Sequence, residues 1–381
     1  MNLIEFGDCR ETMRRWAERG VKAQMCVTSP PYFGLRDYGT GTWEGGDPTC
    51  SHTPSGLSAD AKNVRAAAPN GKPSARDAAI IRGECPCGAV RVDRQIGLEQ
   101  TPEQYIAAMV DVFRCVRDVL ADDGTLWLNI GDSYANDGKW GGRSGGKHAK
   151  ALHGNTSIGR TKVTTGLKPK DLIGIPWLLA FALRADGWYL RSDIVWAKSN
   201  PMPESVTDRP TRSHEYIFLL TKRERYFYDH EAVKEPAVCA PSARACVVDE
   251  RERKALRTDI ESRHRSAIAG GQSLQTNPDG MRNRRSVWTV ATRPYKGAHF
   301  ATFPPALIEP CILAGSRPGD IVLDPFMGSG TTASVALQHG RQYLGCELNA
   351  EYGALQAERI NEAMEAVAEA AAQPDLFERA A

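Results

Sequence analysis

The sequence predicts an α/β fold, in which a mainly parallel sheet carries helices on both of its faces. Short runs rich in β-branched and aromatic residues alternate with segments whose apolar residues recur at helical spacing. One of these runs, TLWLNI at residues 125–130, is apolar enough to be buried on both faces. Such alternation is typical of parallel sheets built from strand–helix–strand units.

The individual elements follow from local patterns. The clearest helix begins at Thr101, which can cap it, with Pro102 in the first turn and Gln104 at the capping-box position. Apolar residues follow at helical spacing: Ile106, Met109, Val110, Phe113, Val116 and Leu120. Asp122, Asp123 and Gly124 are predicted to end this helix. Strands are predicted at residues 25–27, 125–130, 193–196, 216–220, 321–323 and 343–346.

The composition is that of a globular protein. Of the 381 residues, 41% are hydrophobic and 25% are charged, and the formal net charge of +2 neither demands nor excludes a nucleic acid partner. The longest apolar run, residues 175–183, is too short to span a bilayer, and residues 1–13 lack the pattern of a signal peptide. We therefore expect a cytoplasmic protein without membrane contact, whose ten cysteines are thiols or metal ligands.

Three stretches interrupt the alternation of strands and helices. Residues 44–90 are rich in Gly, Pro, Ala and Ser, residues 136–170 are rich in Gly and Lys, and residues 237–287 are polar and rich in Arg. We expect each stretch to be an insertion that projects from the sheet. The first and third of these stretches divide the chain into residues 1–43 with 91–236, which include the second stretch, and residues 288–381.

Residues 319–349, GDIVLDPFMGSGTTASVALQHGRQYLGCELN, predict a strand, a glycine-rich turn, a helix and a second strand that ends in an acid. Gly328 and Gly330 let the backbone approach a ligand closely, and Glu347 is placed to accept hydrogen bonds from ribose hydroxyls. No lysine follows the glycines as in a Walker loop, and Ala333 stands where the dinucleotide fingerprint has its third glycine. The stretch predicts a nucleoside-bearing cofactor, with an ordinary glycine turn as the alternative.

A rigid turn, Ser29-Pro30-Pro31-Tyr32, follows the predicted strand at residues 25–27. Proline fixes its own backbone angle and restricts the residue before it, so the Pro30 carbonyl and the Ser29 and Tyr32 side chains have nearly fixed directions. Alone, the turn could simply end a strand. Both this turn and the glycine turn follow strands, however, so both can face one cleft at the carboxyl ends of the sheet.

TSPPY near the N-terminus and DPFMGSGTT near the C-terminus resemble the amino-methylating DNA methyltransferases of the permuted β type, in which the catalytic motif precedes the cofactor motif. The likeness covers most of the chain, because GD at residues 7–8, DGTLWLNIGDSY, DGWYLRSDIVWAKSNPMPES and HFATFPPALIEPCI match further motifs. The resemblance implies a Rossmann-like methyltransferase fold in circularly permuted order and S-adenosylmethionine as cofactor. It assigns cofactor contacts to Asp8, Thr28, Phe303, Pro304, Asp324, Pro325, Phe326, Gly328, Gly330, Thr331 and Glu347.

The same resemblance gives each part of the chain a role. Residues 1–43 and 91–236 would form the catalytic half of the domain, and residues 288–381 the cofactor-binding half. Residues 237–287 would recognise the target in double-stranded DNA, through arginines that can reach phosphates or guanine edges. A homodimer and a companion restriction enzyme are both compatible with this resemblance.

Methylation of an exocyclic amino group would explain why the turn at residues 29–32 is stiff. The lone pair of that nitrogen is delocalised into the ring, so the nitrogen must be held in line with the methyl group while acceptors take its hydrogens. The Ser29 side-chain oxygen and the Pro30 carbonyl are the expected acceptors, and Pro31 fixes the turn. Tyr32 is expected to stack on a base that has left the duplex. Ser29 favours cytosine N4 over adenine N6, and both stay open.

Four soft ligands in two close pairs predict a structural zinc site within residues 44–90: Cys50, His52, Cys85 and Cys87. Their C-x-H and C-x-C spacings are tighter than usual, and the alternative is a set of unrelated thiols. A segment with so little apolar content would need a metal to hold it together.

Two other functions fit part of the pattern. Glutamine methyltransferases of the release-factor type also use a Pro-Pro-Tyr turn, but they carry Asn before the prolines and place the cofactor motif first. A zinc-bearing DNA-binding module could retain the fold without activity. The intact set of Ser29, Tyr32, Gly328 and Glu347 favours an enzyme.

Overall fold

The protein is described here from a computed structural model that covers residues 1–34, 40–50, 85, 87–135, 166–237, 280–292 and 303–372. The chain forms two compact units, residues 1–228 with 286–381 and residues 229–285. In the described part of the second unit, β8 (Glu235–Pro236) and β9 (Met281–Arg282) form a two-stranded ladder. The Glu235 carboxylate accepts there from Arg282 at 2.9 Å and from Arg285 at 2.7 Å.

Eight strands form the central sheet of the first unit. They are β1 (Leu3–Phe6), β2 (Ala23–Thr28), β5 (Leu120–Ile130), β6 (Tyr189–Ala197), β7 (His214–Thr221), β10 (Val287–Thr289), β11 (Ile321–Asp324) and β12 (Gln342–Glu347). Their order across the sheet is β1-β12-β11-β2-β5-β7-β6-β10. Every neighbouring pair is parallel except the two pairs that β7 makes with β5 and β6. The predicted mainly parallel sheet is therefore confirmed. A separate hairpin consists of β3 (Thr42–Glu44) and β4 (Val90–Val92).

Two groups of helices cover the two faces of this sheet. The first group is α1 (Cys9–Glu18), α2 (Pro102–Val119) and α3 (Ile175–Ala185), and the second is α4 (Pro305–Gly315), α5 (Thr331–Gln338) and α6 (Gly353–Ala372). Cys26 and Leu126 lie in the buried cluster that contains the first group. A Cβ added at Gly315 in α4 would instead lie 3.1 Å from the Met25 sulfur and 2.9 Å from Thr125 Oγ1. Since successive strand side chains point to opposite faces, the two groups lie on opposite faces, as predicted.

The start of α2 agrees with the sequence pattern, whereas its end does not. Thr101 caps the helix by accepting from the Gln104 N–H at 3.3 Å, with Pro102 in the first turn. The helix ends at Val119, however, and β5 begins at Leu120, ahead of the predicted stop. Leu120 pairs with Ala23, and a register shift then brings Thr125 opposite Met25. Leu120 is buried as the first residue of β5, and a longer α2 would bury it as well. Its apolar character therefore does not show where the helix ends and the strand begins.

The largest side chains of the core are fully buried: Trp16, Tyr105, Phe113, Trp127 and Phe218. Four of them pack between the first helix group and the sheet. Trp127 lies on the opposite face of the sheet, beside Gly315 of α4. Among the described residues, no helix combines the length and the apolar character that crossing a membrane would require.

Candidate active site

The candidate site lies along the edge of the sheet where the parallel strands end. β2 ends at Thr28 and is followed by Ser29, and β11 ends at Asp324 and is followed by the glycine turn. The two strands are neighbours, so both turns leave the sheet side by side. Because β7 runs in the opposite direction, its first residues, His214 and Glu215, lie at this same edge. The fold thus brings together two motifs that lie far apart in the sequence.

A buried hydrogen-bonded link joins the two turns. Thr28 Oγ1 donates to Asp324 Oδ1 at 2.6 Å, and Thr332 Oγ1 donates to Asp324 Oδ2 at 2.6 Å. The backbone N–H of Phe326 adds a third donor, 3.0 Å from Asp324 Oδ1. Burial raises the pKa of Asp324 to about 6, although these donors oppose the shift. Among the described residues, Thr28 and Asp324 thus hold the turns together, and their contact with a cofactor stays a prediction.

The glycine turn closes onto the end of β12. The predicted cofactor residues Pro325, Phe326, Gly328 and Gly330 form this turn, and Thr331 begins α5. Gly328 has φ 53° and Gly330 has φ 83°, in the left-handed region that glycine adopts without strain. The Gly328 N–H donates to Glu347 Oε2 at 2.8 Å. The predicted acid and the predicted turn are therefore in direct contact.

Glu347 presents a carboxylate at the end of β12. Its Oε1 accepts from the Asn349 N–H at 2.8 Å and its Oε2 accepts from Gly328, which leaves each oxygen a lone pair for a further donor. Burial raises the pKa of Glu347 to about 7. The neighbouring strand β1 ends beside it, because the Gly7 N–H donates to the Glu347 carbonyl at 2.8 Å.

Asp8 follows Gly7 and caps α1. Its Oδ1 accepts from the Arg10 N–H at 2.9 Å, and its Oδ2 pairs with the Arg10 guanidinium at 2.6 Å. Burial alone would raise the pKa of Asp8, but the hydrogen bonds from Arg10 outweigh it and lower that pKa. Asp8 is thus an anchored, ionised side chain at the edge that carries Glu347.

Two residues of α6 support the glycine turn although they lie in no predicted motif. Gln356, which is buried, donates from Nε2 to the Gly328 carbonyl at 2.7 Å. Arg359 donates from Nη1 to Ser329 Oγ at 2.7 Å and also to Thr331 Oγ1. The Ala- and Glu-rich composition of this helix is typical of a solvated surface, so the sequence contains no signal that identifies them.

The turn at residues 29–32 is supported by α2 from behind. Tyr105, which is fully buried, donates from its hydroxyl to the Pro31 carbonyl at 3.0 Å. Beyond the turn, the Gly34 N–H donates to the Gly97 carbonyl at 2.9 Å. Ser29 Oγ lies 3.4 Å from the Tyr32 hydroxyl, to which it donates. The stiffness expected from two prolines is therefore reinforced by contacts with distant residues.

Tyr32 is held by Glu215, which in turn pairs with Lys198, and neither of these was predicted as a site residue. Its hydroxyl donates to Glu215 Oε2 at 2.5 Å, and Lys198 Nζ forms an ion pair with Glu215 Oε1. A Cβ added at Gly131 would lie 2.7 Å from Tyr32 Cε2, so the ring lies directly against that backbone. Burial, with the Glu215 charge, raises the pKa of Tyr32 well above its usual range.

Phe303 and Pro304 begin the described chain after the stretch 293–302, which lies outside the described residues. Pro304 is buried and occupies the N-cap position of α4, while Phe303 is half-buried. Their predicted contact with the methionine end of the cofactor stays a prediction.

Three of the four predicted metal ligands converge. The sulfur atoms of Cys50, Cys85 and Cys87 all lie within 4.8 Å of one another, and the Cys50 and Cys85 sulfurs are 3.7 Å apart. Burial raises the pKa of Cys87, but hydrogen bonds from the backbone N–H groups of Ala89 and Asp47 outweigh it and lower that pKa. The fourth predicted ligand, His52, lies outside the described residues.

Comparison with known proteins shows the family to which this chain belongs. The model of the DNA methylase family, the N6- and N4-methyltransferases, matches residues 23–358, a range that contains both turns. The chain belongs to this family. The resemblance seen in the sequence and the predicted enzyme class, a DNA amino-methyltransferase, are thereby confirmed.

Relatives of this DNA methyltransferase are similar along nearly its whole length. The type II methyltransferase M.XycI of Xanthomonas campestris pv. cyanopsidis is 43% identical over 354 residues, which cover 93% of this chain and 86% of that protein. The type II methyltransferase M.SmaI of Serratia marcescens is 42% identical over 361 residues, which cover 94% and 90% of the two chains.

The solved structure of the PvuII DNA methyltransferase (cytosine-N4-specific) has a TM-score of 0.51 with this chain. The match covers 96% of this chain and 93% of that protein at 14% identity. A likeness at this identity concerns the fold alone, and it confirms the predicted methyltransferase fold.

Proposed function

We propose that this DNA methyltransferase moves a methyl group from S-adenosylmethionine to the N4 nitrogen of a cytosine that has left the duplex. The observation that carries the proposal is the hydrogen bond between Thr28 and Asp324, 2.6 Å long. It fixes the turn at residues 29–32 beside the glycine turn, so an acceptor and a cofactor can meet at one place.

The residues at the glycine turn fit this cofactor. The half-buried Gly328 has no side chain to keep a ligand from the turn before α5, and Glu347 keeps lone pairs for two ribose hydroxyls. When bound, the cofactor supplies an electrophilic methyl group on a sulfonium. The chain itself supplies orientation: Gln356 holds the turn through Gly328, and Asp324 holds it through Thr332.

The turn at residues 29–32 orients the amino group. Ser29 Oγ and the Pro30 carbonyl accept from its two hydrogens, so the nitrogen lone pair points at the methyl carbon. With the cofactor held at the glycine turn and Glu347, the nitrogen would displace the thioether sulfur from the methyl carbon, and one of its two hydrogens would then leave as a proton to water. Tyr32 supplies a ring face on which the base stacks. No covalent bond between the chain and the base is needed.

Ser29 is the reason to favour cytosine over adenine. In the group that this sequence resembles, an aspartate before Pro-Pro accompanies adenine, and serine more often accompanies cytosine. The alternative is the same reaction at adenine N6, because both bases present an amino group beside a ring nitrogen.

The test is transfer of a labelled methyl group from S-adenosylmethionine to plasmid DNA, followed by nucleoside analysis. We expect label in N4-methylcytosine and none in protein. Label in N6-methyladenine would overturn the choice of base, and label in protein glutamine would overturn the proposed substrate.

Cofactor binding is expected to weaken as the pH falls below about 7. The ribose hydroxyls need an ionised acceptor, and burial raises the pKa of Glu347 to about 7. The Kd for S-adenosylhomocysteine should therefore rise by roughly tenfold between pH 8 and pH 6. Isothermal titration at the two pH values measures this change, and Glu347→Gln should remove most of it. An unchanged slope in the variant would contradict the assignment.

The same raised pKa affects the stability of the cofactor-free protein. Between its ordinary value of 4.5 and about 7, Glu347 keeps a proton in the folded state that it loses in the unfolded chain. Its contribution to stability is therefore present at low pH and is lost as the pH rises through about 7.

Gly131→Ala is expected to displace the Tyr32 ring. The added Cβ would lie 2.7 Å from Tyr32 Cε2, and the ring is fixed at its hydroxyl by Glu215. We expect the rate of methyl transfer to fall by roughly tenfold to a hundredfold while cofactor affinity stays unchanged. Gly353→Ala is the matched control, because its Cβ would meet only the Phe6 ring at 3.3 Å.

We further propose that Cys50, Cys85 and Cys87 bind a structural zinc ion, as the sequence predicts. Sulfur ligands 2.3 Å from a tetrahedral zinc lie about 3.8 Å apart, close to the 3.7 Å between Cys50 and Cys85. That distance is far longer than the roughly 2.05 Å of a disulfide. The ladder of β3 and β4 brings the segment that carries Cys50 close to the segment that carries Cys85 and Cys87. Gly46 has no side chain to collide with the Cys87 sulfur. His52 stays the predicted fourth ligand.

The zinc proposal predicts about one equivalent of zinc in the purified protein. Cys85→Ser should lose the metal and lower the thermal unfolding temperature, whereas Cys311→Ser, a buried thiol remote from the cluster in α4, should retain it. Metal analysis by mass spectrometry measures both. A metal-free wild-type protein, or a disulfide between Cys50 and Cys85, would contradict the proposal.

Double-stranded DNA is the proposed substrate, in the cytoplasm of a bacterium or an infected cell, and residues 237–287 are proposed to read its sequence. Arg282 and Arg285 of that segment pair with Glu235 in the described chain, so DNA binding would have to compete with this pairing. A homodimer and a companion restriction enzyme stay predictions.

A further inference from the structure

An ion pair lies behind Tyr32, at the edge that carries the proposed acceptors. Lys198 follows β6 and Glu215 is the second residue of β7, and their side chains are only 21% and 13% exposed. Lys198 Nζ bonds Glu215 Oε1, while the Tyr32 hydroxyl bonds Glu215 Oε2 at 2.5 Å. Asn129 Nδ2 adds a weaker contact to the same oxygen at 3.3 Å.

Stability alone does not explain this pair. Taking two charges out of water costs about as much as their attraction returns, so a half-buried ion pair is weak evidence for a contribution to folding. Glu215 also directs its second oxygen to a tyrosine hydroxyl, which an ion pair does not require. Lys198 is fixed in addition by the Trp196 ring, whose centroid lies 4.7 Å from Nζ.

We propose that Glu215 is a positioning residue for methyl transfer, acting through the Tyr32 hydroxyl, and that Lys198 keeps its carboxylate in place. This inference rests on the proposed function, because it concerns the ring on which the flipped base stacks. The turn at residues 29–32 fixes only the Cα of Tyr32, whereas the bond to Glu215 fixes the far end of its side chain. The two fixed ends define the long axis of the ring, and its contact with the Gly131 backbone restricts rotation about that axis.

The direction of the hydrogen bonds supports this role. Ser29 Oγ donates to the Tyr32 hydroxyl, and that hydroxyl donates to Glu215. The Ser29 hydrogen is thereby directed away from the base, which leaves its lone pairs for the amino hydrogens. Glu215 would therefore orient both the stacking ring and the acceptor through its bond to the Tyr32 hydroxyl.

A double-mutant cycle tests the proposal directly. Tyr32→Phe and Glu215→Gln should each lower kcat by about tenfold with DNA, with the Kd for S-adenosylhomocysteine unchanged. If Glu215 acts through the hydroxyl, the double variant should be no slower than the slower single variant. Multiplied losses in the double variant would overturn the proposal, as would a Glu215→Gln variant with the rate of the wild type.

Two further variants separate positioning from folding. Lys198→Arg keeps the charge and should retain most of the rate, whereas Lys198→Met should behave like Glu215→Gln. Asp208→Asn is the matched control: it breaks an exposed pair with Lys170, 2.7 Å long, in the same connection between β6 and β7. It should leave the rate unchanged.

The outcomes distinguish this inference from the proposed function. If the wild-type protein methylates no DNA, the proposed function fails, whatever the variants do. If the wild type is active and Glu215→Gln matches it, with thermal unfolding of both unchanged, only the positioning role fails.

Discussion

Ser29→Ala is expected to lower kcat for DNA methylation by about 10²-fold or more, which is the usual cost of removing one preorganised group that acts in the transition state. In the proposed mechanism the serine oxygen is one of two acceptors that direct the amino lone pair at the methyl carbon. Cofactor affinity should not change, because Ser29 lies on a different turn from Gly328 and has no contact with Glu347 among the described hydrogen bonds. Single-turnover transfer and isothermal titration with S-adenosylhomocysteine measure the two quantities.

Ser213→Ala is the matched control for this variant. Ser213 is exposed at the same edge of the sheet, and its backbone carbonyl, which the substitution keeps, accepts from the Lys198 N–H at 2.8 Å. We expect it to retain the wild-type rate. A Ser29→Ala enzyme that is equally fast would show that the serine oxygen is not an acceptor in the reaction.

Asp324→Ala is expected to affect both stability and cofactor binding. It removes the acceptor of Thr28, Thr332 and the Phe326 N–H, all at distances of 2.6 to 3.0 Å. Each buried donor left without a partner costs at least about 1 kcal/mol, so the free energy of unfolding should fall by about 3 kcal/mol or more. Because the two turns lose their common anchor, the Kd for S-adenosylhomocysteine should also rise. Urea unfolding measures the change in stability, and isothermal titration measures the change in Kd.

Asp320→Ala is the matched control for the loss of a carboxylate, because Asp320 directly precedes β11 and Asp324 is its last residue. Asp320 accepts from the Arg317 N–H at 2.7 Å in a turn away from the site. We expect a smaller loss of stability and an unchanged Kd. If Asp324→Ala bound the cofactor as tightly as Asp320→Ala does, the link between the turns would have no part in cofactor binding.

Much of the fold could be predicted because its determinants are local. The cap at Thr101 and the apolar spacing after it specify a helix without reference to the rest of the chain. The glycine turn before α5 is equally local, since Gly328 and Gly330 adopt backbone angles that other residues disfavour. Short edge strands are different: β1 and β10 contain four and three residues and carry no distinctive pattern.

The motifs of the candidate site could be predicted from the sequence, but the residues that hold those motifs in place could not. Ser29 and Glu347 stand in stretches whose residue types are chemically distinctive. The supporting contacts join distant parts of the chain: Glu215 binds Tyr32, 183 positions away, and Gln356 binds Gly328, 28 positions away. A lone glutamate, lysine or glutamine, such as Glu215, Lys198 or Gln356, is common on any surface. The antiparallel direction of β7, which brings Glu215 to the carboxyl edge, is decided by tertiary pairing and leaves no mark in the sequence.

A crystal structure with S-adenosylmethionine bound would show whether the two turns form one active site. We expect ribose hydroxyls on the Glu347 carboxylate, the chain of the cofactor along Gly328 and Gly330, and a sulfonium methyl that points towards Ser29 Oγ. A cofactor bound away from Glu347, or a methyl group directed away from the turn at residues 29–32, would contradict it.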